Sequence, residues 1–245
     1  GNRRDIEQIG ASLTTTNDIM GRSFASSSIF SAGSNGKLTN INLSNFAVEM
    51  EVVKDFVIQT GISYRTLRSA SDSFSLDYYT QIPDALNPLG TVESEVKQAE
   101  TGIQLEWTPN RKTIWYGVER ADVTSDYTRL FLNYSAGMKG LLQSDFDYQK
   151  LQFYYRQPIT IGPLGRTNVI VEVGKTFGEV PLGLLSVIPG NQTYFTIENT
   201  FSNLDYYEFV SDEYATFQWT HNFNGKIFAR IPGLRKLNWR EIIGV

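Results

Sequence analysis

Few residues in this 245-residue chain could act as a catalyst. His221 is its one histidine, and cysteine is absent. A hydrolytic site needs a nucleophile, a base and an orienting group. Ser211 and Asn222 lie near His221 in sequence, but His221 alternates in step with Phe217, Trp219 and Phe223. That register puts the imidazole on an apolar face, so a packed or interfacial ring is expected rather than a base. Without cysteine there is no thiolate metal site and no disulfide framework. Asp145 and Asp147 flank Phe146 and offer carboxylates for calcium, but the ligand ladder of a calcium loop is missing. A solvated loop at the start of a strand is the expectation there. The chain is therefore read as non-enzymatic, with no catalytic residues, no metal and no cofactor.

Other polar groups fall in three motifs. IPGNQTYF contains Gly190, Asn191 and Tyr194, and reads as a conformational turn in which Gly190 is able to take positive φ. YYEFVSDEY places Glu208, Ser211 and Asp212 at a strand start, where they are expected to point into a lumen. FNGKIFARIPGLRKLNWRE carries Asn224, Gly225, Lys226, Arg230, Pro232, Arg235, Lys236 and Arg240, interleaved with Ile231, Leu234, Leu237 and Trp239. Two arrangements stay open for this last segment. It can lie at a membrane surface with its cations near lipid phosphates. It can instead fold into a lumen where arginine pairs with carboxylates such as Glu208.

The elements that carry these residues are strands. Phe46, Val48, Met50 and Val52 alternate with Ala47, Glu49 and Glu51, and after Lys54-Asp55, read as a tight turn, Phe56, Ile58, Ile62 and Tyr64 continue the alternation. Residues 69–96 read as a long excursion. Ile103, Leu105 and Trp107 then alternate with Gln104 and Glu106, and IWYGVERA, after the turn TPNRK, is expected to return as their partner strand. Leu130 to Ala136, Leu151 to Ile161, Val169 to Val173 and Phe217 to Phe223 repeat the pattern, with GPLG at 162–165 as a short turn. Pro158 cannot donate to a ladder, which predicts a bulge or a break near Gln157. KLNWREIIGV looks like the opening of one more strand.

Eight or nine strands result, joined by short turns and longer loops, with no amphipathic helix. That is the rhythm of an up-and-down antiparallel meander. Several runs reach about ten residues, the length that crosses a bilayer at a tilt, whereas soluble strands average about five or six. Aromatics make up 13% of the chain, and tyrosine and tryptophan suit a lipid–water boundary. A net charge of −4 speaks against a nucleic-acid binder. No apolar run is long enough for a membrane helix, and no signal peptide is read at Gly1.

From Thr101 onward the pieces GMKGLLQSDFDYQKL, RTNVIVEVGKTFGEVPLGLL, PGNQTYF, YYEFVSDEYATF and HNFNGKIFARIPGLRKLNWRE resemble, in order and spacing, the C-terminal barrel of a family of Bacteroidota outer-membrane proteins. That barrel is a domain of unknown function, borne by proteins with an N-terminal carboxypeptidase-regulatory-like domain, and it is distantly similar to outer-membrane-protein assembly barrels. The resemblance covers roughly the last 145 residues and implies an integral outer-membrane protein but supplies no activity.

The expected fold is all-β, an antiparallel up-and-down transmembrane β-barrel. Residues 1–37 are expected to be irregular or weakly stranded, and 38–245 to form barrel strands that are incomplete at the C-terminus, part of a larger barrel. The expected function is non-enzymatic work in the bacterial outer membrane, in assembly or translocation of surface proteins or within an envelope complex. Expected partners are outer-membrane lipid and other outer-membrane or periplasmic proteins, with no nucleic acid. The alternatives are a passive porin-like channel and a soluble ligand-binding β-barrel.

Overall fold

A computed structural model describes residues 1–7, 37–117, 119–124, 126–191, 200–205, 207–237 and 239–245. In chain order the strands are β1 (Asn2–Glu7), β2 (Thr39–Val53), β3 (Phe56–Ser69), β4 (Tyr78–Gln81), β5 (Thr91–Glu93), β6 (Glu95–Trp107), β7 (Thr113–Tyr116), β8 (Glu119–Asp122), β9 (Arg129–Gly137), β10 (Tyr148–Thr160), β11 (Arg166–Phe177), β12 (Ser186–Val187), β13 (Val210–Ser211), β14 (Glu213–Asn222) and β15 (Ile242–Gly244). Among the described residues there is no α-helix, only single 3-10 turns such as 162–164.

Nine strands form one antiparallel sheet in the order β1-β2-β3-β6-β9-β10-β11-β14-β15. The all-β antiparallel meander agrees with the alternation in the sequence, although the membership differs: β1 joins the sheet and the IWYGVERA segment does not. The sheet is open among the described residues: β1 pairs only with β2, and β15 only with β14. The β2–β3 turn is the tight one expected, with Asp55 at φ 64.

Two expectations are corrected. IWYGVERA does not return as the partner of Ile103–Trp107. It folds on itself as the β7–β8 hairpin, and β6 pairs instead with β3 and β9. Nor does Pro158 break its strand. β10 runs unbroken through Pro158, which is in register with Asn168 of β11, while pairing with β9 has already stopped at Arg156. One side of β10 is therefore free at this point, where a missing N–H costs no ladder bond.

Register divides the sheet into two faces. Met50, Ile58, Leu105, Leu132, Phe153, Val173 and Ala215 form one continuous cross-strand row from β2 to β14. Every member is apolar, and Met50 is 59% exposed. In the neighbouring row, one residue along each strand in alternating chain direction, the opposite face carries Glu49, Gln59, Gln104, Asn133, Gln152, Gly174 and Tyr214. In this row Gln104, Asn133 and Gln152 are buried. The usual arrangement of a soluble protein is thus turned inside out in this part of the sheet.

The polarity reverses near the other end of β2, β3 and β6. There the inner face holds buried Ile41, Leu43, Leu67 and Val96, and the outer face shows Asn40, Asn42, Thr66, Arg68, Glu95 and Lys97. Phe74 and Leu76 after β3, and Leu184 after β11, fold over this inner patch as a cap, with Tyr78, Phe146, Val180 and Tyr207 packed against it. Phe74 and Tyr207 meet edge-on at 4.8 Å between ring centroids.

Candidate functional site

The buried polar face is organised by tyrosines that lean over glycines. Tyr148 of β10 lies against Gly137, its register partner in β9, and Tyr214 of β14 lies against Gly174, its partner in β11. A Cβ on Gly174 would sit 2.7 Å from Tyr214 Cζ and 2.8 Å from its hydroxyl, so only glycine admits the ring. Lying flat across a strand, each hydroxyl reaches a buried carboxylate. Tyr148 donates to Glu100 at 2.7 Å, and Arg65 pairs with the same carboxylate at 2.7 Å. Tyr214 donates to Glu172 at 2.6 Å and accepts from Gln152 at 2.9 Å. Asn133 donates to Gln152 at 3.1 Å and extends this chain to β9. Glu172 is fully buried, and a buried carboxylate persists only with such donors. None of these residues stood out in the sequence. Alternation hints at their face, but which tyrosine crosses which glycine depends on register.

His221 is buried although its register puts it on the otherwise exposed outer face with Phe217 and Trp219. Its Nε2 lies 3.1 Å from the Leu164 carbonyl and its Nδ1 2.7 Å from the Thr167 hydroxyl. A carbonyl only accepts, so Nε2 carries the proton and Nδ1 accepts from Thr167. Both nitrogens are occupied, and the ring is held between Trp219 and Phe223. Asp145 accepts the Lys97 backbone N–H at 2.8 Å and Asp147 that of Lys139 at 2.5 Å. Both aspartates tie down the β9–β10 loop.

The sequence-selected residues separate to opposite ends of the sheet. Gly190, Asn191, Glu208, Ser211 and Asp212 lie in the excursion between β11 and β14, at the capped end. Tyr194 lies outside the described residues. Gly190 does not use the positive φ that is open to glycine. It bridges to Phe201, and a Cβ there would fall 2.7 Å from the Asp205 carbonyl oxygen, so close backbone approach is what calls for glycine. Glu208 is exposed and accepts the Asp205 N–H at 2.8 Å rather than facing the buried polar rows. Ser211 caps the Glu213 N–H at 3.2 Å, and Asp212 is exposed.

Asn224, Gly225, Arg230, Pro232, Arg235, Lys236 and Arg240 lie at the other end, beyond β14. β14 stands between this segment and Glu208 and spans about 30 Å at ~3.3 Å per residue. The luminal pairing of these arginines with Glu208 is therefore ruled out. Asn224 and Gly225 both take positive φ, and the Lys226 N–H returns to the Phe223 carbonyl at 3.2 Å. This is the Asn-Gly mirror-type turn, a signal readable in the sequence. Pro232 sits in a second turn, closed by the Leu234 N–H on the Ile231 carbonyl at 3.1 Å. Between the turns a cleft opens, lined by Asn224, Gly225, Phe228, Arg235, Trp239 and Arg240. Arg235 and Arg240 are exposed.

Comparison with known families gives a match. A model described as "Family of unknown function (DUF5686) C-terminal domain" matches residues 20–245. The match starts far ahead of Thr101, so β2 and β3 fall within the same unit as the later motifs. No curated protein matches the chain.

Proposed function

The chain belongs to that family of unknown function, as its C-terminal domain, and from this premise we propose that it is an integral outer-membrane β-barrel unit of a Bacteroidota bacterium. Its work is non-enzymatic: assembly or translocation of surface proteins, or service as a component of an outer-membrane complex. Its partners are outer-membrane lipid and other outer-membrane or periplasmic proteins.

One observation supports this reading above all others: adjacent cross-strand rows, one apolar and exposed or half-buried from β2 to β14, the next polar and largely buried. Soluble monomers rarely expose apolar patches beyond a few hundred Å². Acyl chains remove that cost, and a wet interior suits Gln104, Asn133 and Gln152. A soluble ligand-binding barrel would require the opposite facing. In hydrocarbon an unpaired edge costs several kcal/mol per backbone group, so the reading requires the β1 and β14–β15 edges to be paired in the membrane. The apolar cap over Ile41, Leu43, Leu67 and Val96 disfavours a passive channel, because it fills one end of the inner face. The engaged His221 disfavours a hydrolase.

The test is fractionation of the full-length protein. The expected outcome is retention in salt-washed outer membranes, release by detergent, and gel mobility that changes on heating. Release by salt or carbonate without detergent, as a soluble monomer, refutes the proposal.

A further inference from the structure

The segment between β14 and β15 concentrates cations without neutralising them. Lys226, Arg230, Arg235, Lys236 and Arg240 face a single acidic side chain, Glu241. Glu241 accepts the Phe228 backbone N–H and does not line the cleft. Lys226 is engaged by the Pro163 carbonyl, which fixes the segment to the β10–β11 turn. No carboxylate pairs with Arg235 or Arg240 among the described residues. Both reach the same cleft, beside the Asn224-Gly225 turn. A planar guanidinium matches two oxygens of a phosphate, and two guanidiniums in one cleft match its charge.

The surroundings select the form in which that phosphate arrives. Trp239 and Leu234 line the cleft, and Ile227, Ile231, Leu237 and Trp239 of the same segment are all exposed. The segment begins where the outer apolar column of β14, Ala215, Phe217 and Trp219, ends. A cationic cleft rimmed by exposed apolar side chains at the margin of an apolar belt has the chemistry of a headgroup site. The phosphate enters the cleft and the lipid's glycerol and upper acyl carbons lie on Ile231, Leu237 and Trp239.

We propose that the Arg235–Arg240 cleft binds the phosphate of an anionic membrane lipid, an inference that rests on the membrane reading above. The full-length protein in a non-ionic detergent, examined by native mass spectrometry, provides the test. Phosphatidic acid should be retained and phosphatidylcholine of the same chain length should not. Arg235→Gln/Arg240→Gln should lower phosphatidic acid retention at least about tenfold, since contacts to charged groups are the stronger ones. Unchanged heat-modifiable mobility would show that the variant is folded. In the wild-type protein, raising salt from about 50 to about 300 mM should weaken retention of phosphatidic acid, a measurement that needs no variant. Equal retention of the two lipids, retention unaffected by salt, or retention unchanged in a folded variant overturns the proposal. Displacement of phosphatidic acid by equimolar inorganic phosphate overturns the lipid assignment in favour of a free-anion site. Failure of the membrane reading is seen separately, as release of the protein without detergent.

Discussion

Replacing Gly174 with alanine tests the tyrosine-over-glycine arrangement directly. The new Cβ would lie 2.7 Å from Tyr214 Cζ and 2.8 Å from its hydroxyl, both far inside contact distance, so the ring must move. When it moves, Glu172 loses a 2.6 Å hydrogen bond and Gln152 loses its 2.9 Å acceptor. A bond to a charged group contributes about 1.5–3 kcal/mol and a neutral one about 1 kcal/mol. Removing a strand glycine returns about 0.5–1 kcal/mol of chain entropy. The net cost is then about 2–3 kcal/mol. Urea unfolding of the protein reconstituted in vesicles, followed by tryptophan fluorescence, reads it out. Gly233→Ala is the control, because nothing lies within 4 Å of a Cβ there. In a Tyr214→Ala background the Gly174→Ala penalty should vanish, since the clash partner is gone. A Gly174→Ala protein within about 0.5 kcal/mol of wild type, or an equal penalty in both backgrounds, refutes the reasoning.

Two further tests address other links of the argument. Met50→Arg, on the outward column Phe46, Val48, Met50 and Val52 of β2, should cost about 2–4 kcal/mol in folding into vesicles, whereas the 59% exposure of Met50 would make the change nearly neutral in a soluble protein; vesicle refolding titrations distinguish the two. Asp122 belongs to the β7–β8 hairpin, beyond the apolar belt. Burial alone would raise its pKa, but hydrogen bonds from Arg111 at 2.6 Å and Tyr127 at 2.8 Å outweigh burial and hold it below the ordinary carboxylate value. A pKa lower in the folded than in the unfolded chain contributes stability above about pH 4, lost as pH falls through the folded value. Hydrogen exchange of this hairpin, corrected for intrinsic rates, should accelerate on acidification in wild type, while Asp122→Asn should exchange fast at neutral pH as well.

Much of the strand layout was legible because alternation with period two is imposed by the pleat itself. Phe46 to Val52 and Leu151 to Ile161 declare their faces without any knowledge of partners. Pairing is less legible. Ile114, Trp115 and Tyr116 have the β-propensity of a sheet strand, and nothing local distinguishes a strand that joins the main sheet from one that folds back as β7–β8. The cap was invisible for a related reason: Phe74, Leu76 and Leu184 sit in irregular segments, where apolar residues have no period to betray the surface they cover. The cation cluster was plain in the sequence. Its convergence on one cleft depends on two turns, of which the Asn224-Gly225 dipeptide was a readable sign. Glu208 was drawn toward the lumen by its place near a strand start, but its own loop offers the Asp205 N–H a few residues away.

The change of facing along β2 means that hydrophobicity carries opposite signs on two stretches of one ribbon. Near Asn42 a greasy replacement on the outer side would make an adhesive spot in water. Three pleats further on, at Val48, the exposed outer side is itself apolar, and on the proposed membrane reading the same replacement would be welcome and a polar one expelled. A substitution table for this strand therefore cannot be averaged over its length: on the membrane reading proposed above, the ribbon would pass from one solvent to another close to Ser44.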